Sequence, residues 1–196
     1  DALYLKPLFD RVQKNNGRVY PEGPQFTLLV DFKNDGQQTY QALQQALQPY
    51  AAMLTRVEQG REVQGAVTVI ISGDRPFETI RHDPQRLVGI DGRLSDLDSR
   101  DSAHLLPLIS DNWRNHFEWR GEGPIPAAER QKLREIVQQA HSAGRRVRFW
   151  ATPESEALWQ ELHAAGTDLI NTDELRRLQK FLQSAAGAGS DKGSTK

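Results

Sequence analysis

One stretch limits the possible folds of this chain more than any other. Gly144 to Leu175, GRRVRFWATPESEALWQELHAAGTDLINTDEL, writes a strand, a helix, a second strand and a new helix start in immediate succession. This is a β/α/β unit. Arg148, Trp150 and Thr152 alternate along the first strand and so share one side of it, as Asp168, Ile170 and Thr172 do on the second. Polar residues collect where each strand meets its following loop. In parallel α/β architectures those carboxyl-terminal strand ends are where ligands bind, because loops and helix amino termini converge there.

Upstream the same pattern recurs. Leu3, Leu5, Leu8, Phe9 and Val12 fall at helical spacing and stop at Asn15, Asn16 and Gly17. Gln25 to Lys33, QFTLLVDFK, is a nearly continuous apolar run of strand length ending in Asp31 and Lys33 on one face. A helical stripe from Tyr40 to Leu54 is interrupted by Pro49, which predicts a bend or break there. GAVTVIIS, residues 65 to 72, is rich in β-branched residues and predicts a strand, followed by the turn SGDRP. Arg86 to Asp91 and Leu105 to Ser110 predict two shorter strands, with Pro107 fitting an edge, a strand start or a bulge. Asp111 to Pro126 has no clear period and reads as a long loop, and Pro126 opens a helix that Gly144 ends. A last helix is predicted over 173–183, with a disordered tail over 185–196. The count is six strands alternating with helices, an α/β fold with a parallel sheet.

Composition limits the function. The 25 basic and 26 acidic residues nearly cancel, which leaves no field of one sign to gather nucleic acid. The absence of cysteine removes disulfides, thiolate metal sites and cysteine nucleophiles, and leaves the compartment open. No window has the apolar length of a membrane span, and DALYLKPLFDRV lacks a signal-peptide pattern. At 196 residues the chain fits one domain better than two. It opens without Met, directly into a helical pattern, which reads as a cut or processed chain. There is no G-x-S-x-G elbow and no glycine-rich phosphate loop, and the five His are scattered with no pair at zinc-ligand spacing.

Five segments together carry a family resemblance. LLVDFK, VIISGDRP, VGIDGRLSDL, LISDNWRNHFEWRGEGPIP, and RVRFWATP followed by GTDLINTDEL resemble, in order and spacing, the later part of the phospholipase C-like phosphodiesterases. These are TIM-barrel enzymes that include the glycerophosphodiester phosphodiesterases, and within them the likeness is to the branch of altered inheritance of mitochondria protein six. The resemblance covers Leu3 to Leu182 and implies a (β/α)8 barrel of which the six strands are strands three to eight, with residues 1–184 as one domain. It implies a phosphoric diester hydrolase using a divalent metal, Ca or Mg, on a small phosphodiester or lipid-headgroup substrate. The family's two catalytic His and its acidic pair have no counterpart here, so the chain alone is expected to be inactive. A noncatalytic binding or scaffold domain on the same barrel is the alternative.

The resemblance assigns roles by position. Asp31 falls on the acidic residue of the family's Glu-x-Lys motif and is the expected metal ligand, one methylene shorter than Glu; Lys33 falls on its catalytic lysine. Without the resemblance the pair reads as a strand-end ion pair or helix cap. Trp150 matches the tryptophan of strand seven, and Thr172 with Asp173 the Thr-Asp pair after strand eight. Asp91 and Arg93 read equally as substrate contacts or as a turn aspartate and a solvated arginine. For Asp74 and Arg75 the turn reading is preferred. Arg148 reads as a phosphate contact or an internal ion pair. Trp113 and Trp150 are expected to wall the headgroup pocket, whereas Trp119 and Trp159 are expected to be core.

Overall fold

The computed structural model describes residues 3–190, with side chains up to residue 185. They form two compact units. The first runs to Gly92 and takes in Ser99–Leu108; the second comprises Arg93–Asp98 and the chain from Ile109 on.

In the first unit, helix α1 (Leu5–Lys14) buries Leu5, Leu8 and Val12 and ends at Asn15, as the helical spacing predicts. Strand β1 (Phe26–Phe32) leads into α2 (Gly36–Leu47), and the chain tightens into a 3-10 helix over Gln48–Met53 with Pro49 near its start. That is the break Pro49 imposes, since it has no N–H to continue the α-helical ladder. A short hairpin follows, β2 (Arg56–Glu58) against β3 (Arg61–Val63), antiparallel with Glu58 opposite Arg61. Its two-residue loop, Gln59 and Gly60, has φ of 51° and 76°, the left-handed pair that a tight hairpin turn requires. The pattern reading missed this hairpin, because three-residue strands show no period.

Strand β4 (Val67–Gly73), helix α3 (Phe77–His82) and strand β5 (Val88–Gly92) complete the unit. β4 lies between β1 and β5 and pairs in parallel with both. Val67, Val69, Ile70 and Ile71 are fully buried, which is why GAVTVIIS is apolar on both faces. Val67, Val69 and Ile71 join a core with Leu47, Leu54, Ile80, Ile90 and Leu106. Pro107 lies just before β6 (Leu108–Asn112), the strand-start position open to a residue without an N–H.

In the second unit, the segment read as a loop contains a short helix, α4 (Trp113–His116). Then come α5 (Ala127–Ser142), β7 (Arg146–Trp150), α6 (Glu156–Ala165), β8 (Leu169–Ile170) and α7 (Leu175–Ser190). β7 sits between β6 and β8 and runs parallel to β8. Leu133, Val137, Ala140, Val147, Phe149, Leu158 and Leu162 pack as the core. Trp159 is also fully buried and Trp119 is 8% exposed, so both are core residues.

All six parallel-type strands read from the sequence form, and the fold is α/β. The last two are shorter than their alternation implied. β7 ends at Trp150 because Ala151 turns left-handed with φ 54°, so Thr152 leaves the face that Arg148 and Trp150 share. β8 is two residues long, which puts Asp168 before it and Thr172 after it. Residues 185–190, read as tail, continue α7; the rest of that tail, 191–196, lies outside the described residues. Among the described residues no helix is long and apolar enough to cross a membrane.

Candidate functional site

In the first unit, three polar residues stand in a row at the carboxyl ends of three strands. The β1–β4 register pairs Asp31 with Ser72. The β4–β5 register pairs Ile71 with Ile90, which brings Ser72 level with Asp91, and Ser72 Oγ donates to Asp91 Oδ2 at 2.6 Å. Residues at one register level share a face, so the row Asp31, Ser72, Asp91 is a built feature of the sheet. Its ends differ: Asp91 is 1% exposed, while the Asp31 side chain is 48% exposed.

Lys33, two residues beyond Asp31, donates its ammonium to the Asp31 carboxylate and is otherwise open to solvent. An exposed pair of this kind contributes about 0–1 kcal/mol. Arg75, from the turn after β4, donates through its guanidinium to the Asp91 carbonyl, and Asp74 Oδ2 accepts the Gly36 N–H at 2.8 Å at the start of α2. Gly73 lets this corner close. Its φ is 77°, and a Cβ there would come within 2.1 Å of the Phe32 carbonyl and 2.4 Å of Asp31 Oδ1. Ser72 was not singled out in the sequence; its signal is that it falls in register with Asp31 on the neighbouring strand.

The second unit has its own polar strand ends. Arg148, on β7, donates to the Asn171 side-chain oxygen just after β8. Trp150 is half-buried at the end of the same strand. Thr172 Oγ1 donates to Glu154 Oε2 at 2.7 Å and accepts from the Glu174 N–H at 2.8 Å, while Glu154 Oε1 takes the Asp173 N–H. Thr172 is thus held between two loops by Glu154, a residue the sequence did not single out. Arg93 donates from its backbone to Asp96 and from Nη1 to the Ser110 carbonyl at 3.4 Å. Asp168 lies at the opposite, amino-terminal end of its strand, where it accepts from Val147 N and pairs with His141.

The mouth reading of Trp113 is corrected. Its ring is fully buried, stacked on Phe117 with centroids 3.9 Å apart and edge-on to Phe149, and Nε1 donates to the Trp119 carbonyl at 2.9 Å. The first residue of α4 is an anchor because its large ring fills the space that the short helix would otherwise leave empty. What α4 presents instead is His116, whose Nε2 lies 3.2 Å from Asp111 Oδ2. The sequence showed these only as scattered loop residues.

In the first unit, the groups with perturbed pKa values lie at the other end of the sheet. Tyr40 Oη donates to Asp83 Oδ2 at 2.6 Å, Gln44 reaches the same oxygen at 2.9 Å, and Arg86 bonds the His104 ring. Burial first, then the bond to Asp83, pushes the Tyr40 hydroxyl far up. Burial, then the neighbouring Arg86, holds His104 below its ordinary value, and burial lowers Arg86.

An oxygen-ligated cation needs several converging donors. Among the described residues no group of three or more His, Asp or Glu side chains could hold one, and the Asp31 carboxylate is engaged by Lys33. The residues described here therefore do not fit a complete metal site.

Comparison with known proteins agrees with this geometry. Residues 2–89 match the AIM6-like phosphodiesterase domain, and residues 146–176 match the glycerophosphoryl diester phosphodiesterase family. Both are phosphodiesterase families, and the similarity to the AIM6-like branch is the one the five segments implied. Altered inheritance of mitochondria protein 6 homolog from Arthroderma benhamiae is 27% identical over 92% of this chain and 65% of its own length. Altered inheritance of mitochondria protein 6 from Eremothecium gossypii is 27% identical over 91% of this chain and 55% of its own, and that of Zygosaccharomyces rouxii 24% over 92% and 53%. The chain therefore spans between about half and two-thirds of the relatives it matches. No solved structure matches it.

Proposed function

We propose that this chain is part of a phosphoric diester hydrolase barrel acting on a glycerophosphodiester or phospholipid-headgroup substrate. On this reading its parallel strands are strands three to eight of a (β/α)8 barrel, and residues 1–184 belong to one domain. The observation that carries it is the Asp31–Ser72–Asp91 row with Lys33 beside it. Charged groups at the carboxyl ends of consecutive parallel strands are where this architecture binds ligands.

Each residue then has a role. The Lys33 ammonium, on a flexible stem at the open end of the row, stabilises charge on the phosphoryl oxygens. Asp91 is held through Ser72 and contributes to substrate placement from the buried end. Arg93, Arg148, Trp150 and Thr172 serve substrate binding in the second unit, Arg148 through the guanidinium that Asn171 orients. A calcium or magnesium ion would take Asp31 as one ligand and needs further oxygen donors, so no step is derived through it.

The chain alone is expected to bind and not to turn over. Bis(p-nitrophenyl) phosphate with magnesium or calcium should give no hydrolysis above buffer, while sn-glycero-3-phosphocholine binds and Lys33→Gln weakens that binding. Saturable metal-dependent turnover would overturn the incomplete-site reading. Absence of binding would favour a noncatalytic scaffold, for which the mutual pairing of Asp31 and Lys33 is the supporting observation.

A further inference from the structure

Asp111 and His116 form a carboxylate–imidazole pair that the reading above does not use. Asp111 ends up at the carboxyl end of β6, where Oδ1 accepts the Asn112 N–H at 2.8 Å and Oδ2 accepts the Leu94 N–H at 3.3 Å. Two backbone donors fix the carboxylate in place. His116 closes onto it from the last position of α4, with Nε2 3.2 Å from Oδ2. The other ring nitrogen, Nδ1, makes no hydrogen bond to the described residues, and the side chain is 26% exposed. With Nε2 beside a carboxylate, the imidazolium form of the ring presents its second N–H, at Nδ1, to a ligand.

The support beneath the imidazole is rigid. Trp113 buries its whole ring at the start of α4, and Lys132 from α5 donates to the His116 carbonyl at 2.8 Å while lying over the Phe117 ring. The surroundings are cationic: Lys132, Arg114 on α4, and Arg93, whose guanidinium reaches the carbonyl of Ser110 beside Asp111. Acids stand beside them: Asp111 itself, exposed Glu118, and Glu129 of α5, which is engaged by the Trp119 N–H. An imidazolium N–H among three cationic side chains fits an oxyanion.

We infer that His116, as the imidazolium held beside Asp111, donates Nδ1–H to a nonbridging oxygen of a phosphodiester monoanion. His116 is thus a substrate-binding residue and Asp111 its positioning residue. The inference rests on the phosphodiester reading and adds a contact that the family resemblance does not assign.

The test uses the full chain and follows the histidine ring resonances by 15N–1H NMR, with His116→Gln identifying the signal. Titration with sn-glycero-3-phosphocholine should shift the His116 ring signals saturably, and His116→Gln should weaken binding about ten-fold, the range of one charge-assisted hydrogen bond. Asp111→Asn should shift the His116 ring signals and give a smaller loss, which a merely structural role would not produce. Inorganic phosphate is the second arm, and equal or tighter binding of it would overturn the diester assignment. If binding weakens in Lys33→Gln while the His116 signals stay still, this inference falls and the family reading stands. If neither probe binds, both fall.

Discussion

The two ends of the β1-β4-β5 sheet are built to opposite specifications. At the amino-terminal end, Tyr40, Gln44, Asp83, Arg86 and His104 form a sealed polar network, with Tyr40 3% and Arg86 5% exposed and their proton affinities displaced by burial. At the carboxyl-terminal end the row opens outward from buried Asp91 to exposed Asp31 and Lys33. Perturbed titration often marks function. Here it marks an end knitted together by Asp83, which accepts from Tyr40, Gln44 and the Gln85 backbone and so reads as structural, although Arg86 Nε is buried there without a hydrogen-bond partner. The open end keeps a cation whose carboxylate partner among the described residues is itself exposed, which is what a ligand can displace.

The sharpest way to break this contrast is to remove Asp83. Asp83→Ala leaves the Tyr40 hydroxyl and the Gln44 amide without their acceptor, and should cost about 2–3 kcal/mol by urea unfolding. A loss below about 0.5 kcal/mol would mean the sealed end is not structural. Gly73→Ala comes next, at about 1–3 kcal/mol, because its left-handed φ is strained for any side chain and its Cβ would press on Phe32 and Asp31. That substitution asks whether the open end, loose in its side chains, is nonetheless tight in its backbone; an unchanged unfolding midpoint says it is not.

Acid should act on the sealed end more gently. His104 accepts from Arg86 only when neutral, and its folded pKa is below the ordinary value of about 6.5. The unfolded chain therefore binds the proton more readily. This contribution is complete above about pH 6.5 and is lost as pH falls toward the depressed value. Unfolding midpoints between pH 8 and 5 should fall with acid, and less steeply in His104→Gln; a stability that rises on acidification contradicts the network. The smallest effect belongs to Lys33→Gln, which should change stability by less than about 1 kcal/mol while weakening phosphodiester binding. A large unfolding effect there would make Lys33 a structural residue and collapse the contrast.

How much of this was legible in the sequence depended on length and period. The buried strands LLVDF and VTVII were readable because both faces are apolar, and the break at Pro49 because the missing N–H acts locally. The Arg56–Val63 hairpin was not: three residues carry no alternation, and Gln59-Gly60 is a weaker turn signal than Asn-Gly. Trp113 was misplaced because an aromatic residue next to a strand end suits a pocket wall and a core anchor equally, and only the stacking on Phe117 distinguishes them. Ser72 went unnoticed because its position opposite Asp31 is a property of register between strands about 40 residues apart.

The sequence by itself determined the α/β alternation, the family resemblance and the presence of Asp31 and Lys33 at a strand end, since these follow from local periodicity and from segment order. Only the tertiary structure decided which polar groups act together. The Asp31–Ser72–Asp91 row, the sealed network on Asp83 and the Asp111–His116 pair are each made by chain segments meeting across a register or a corner. A hydrogen bond depends on distance and direction in space, and spacing along the chain carries neither once the backbone turns.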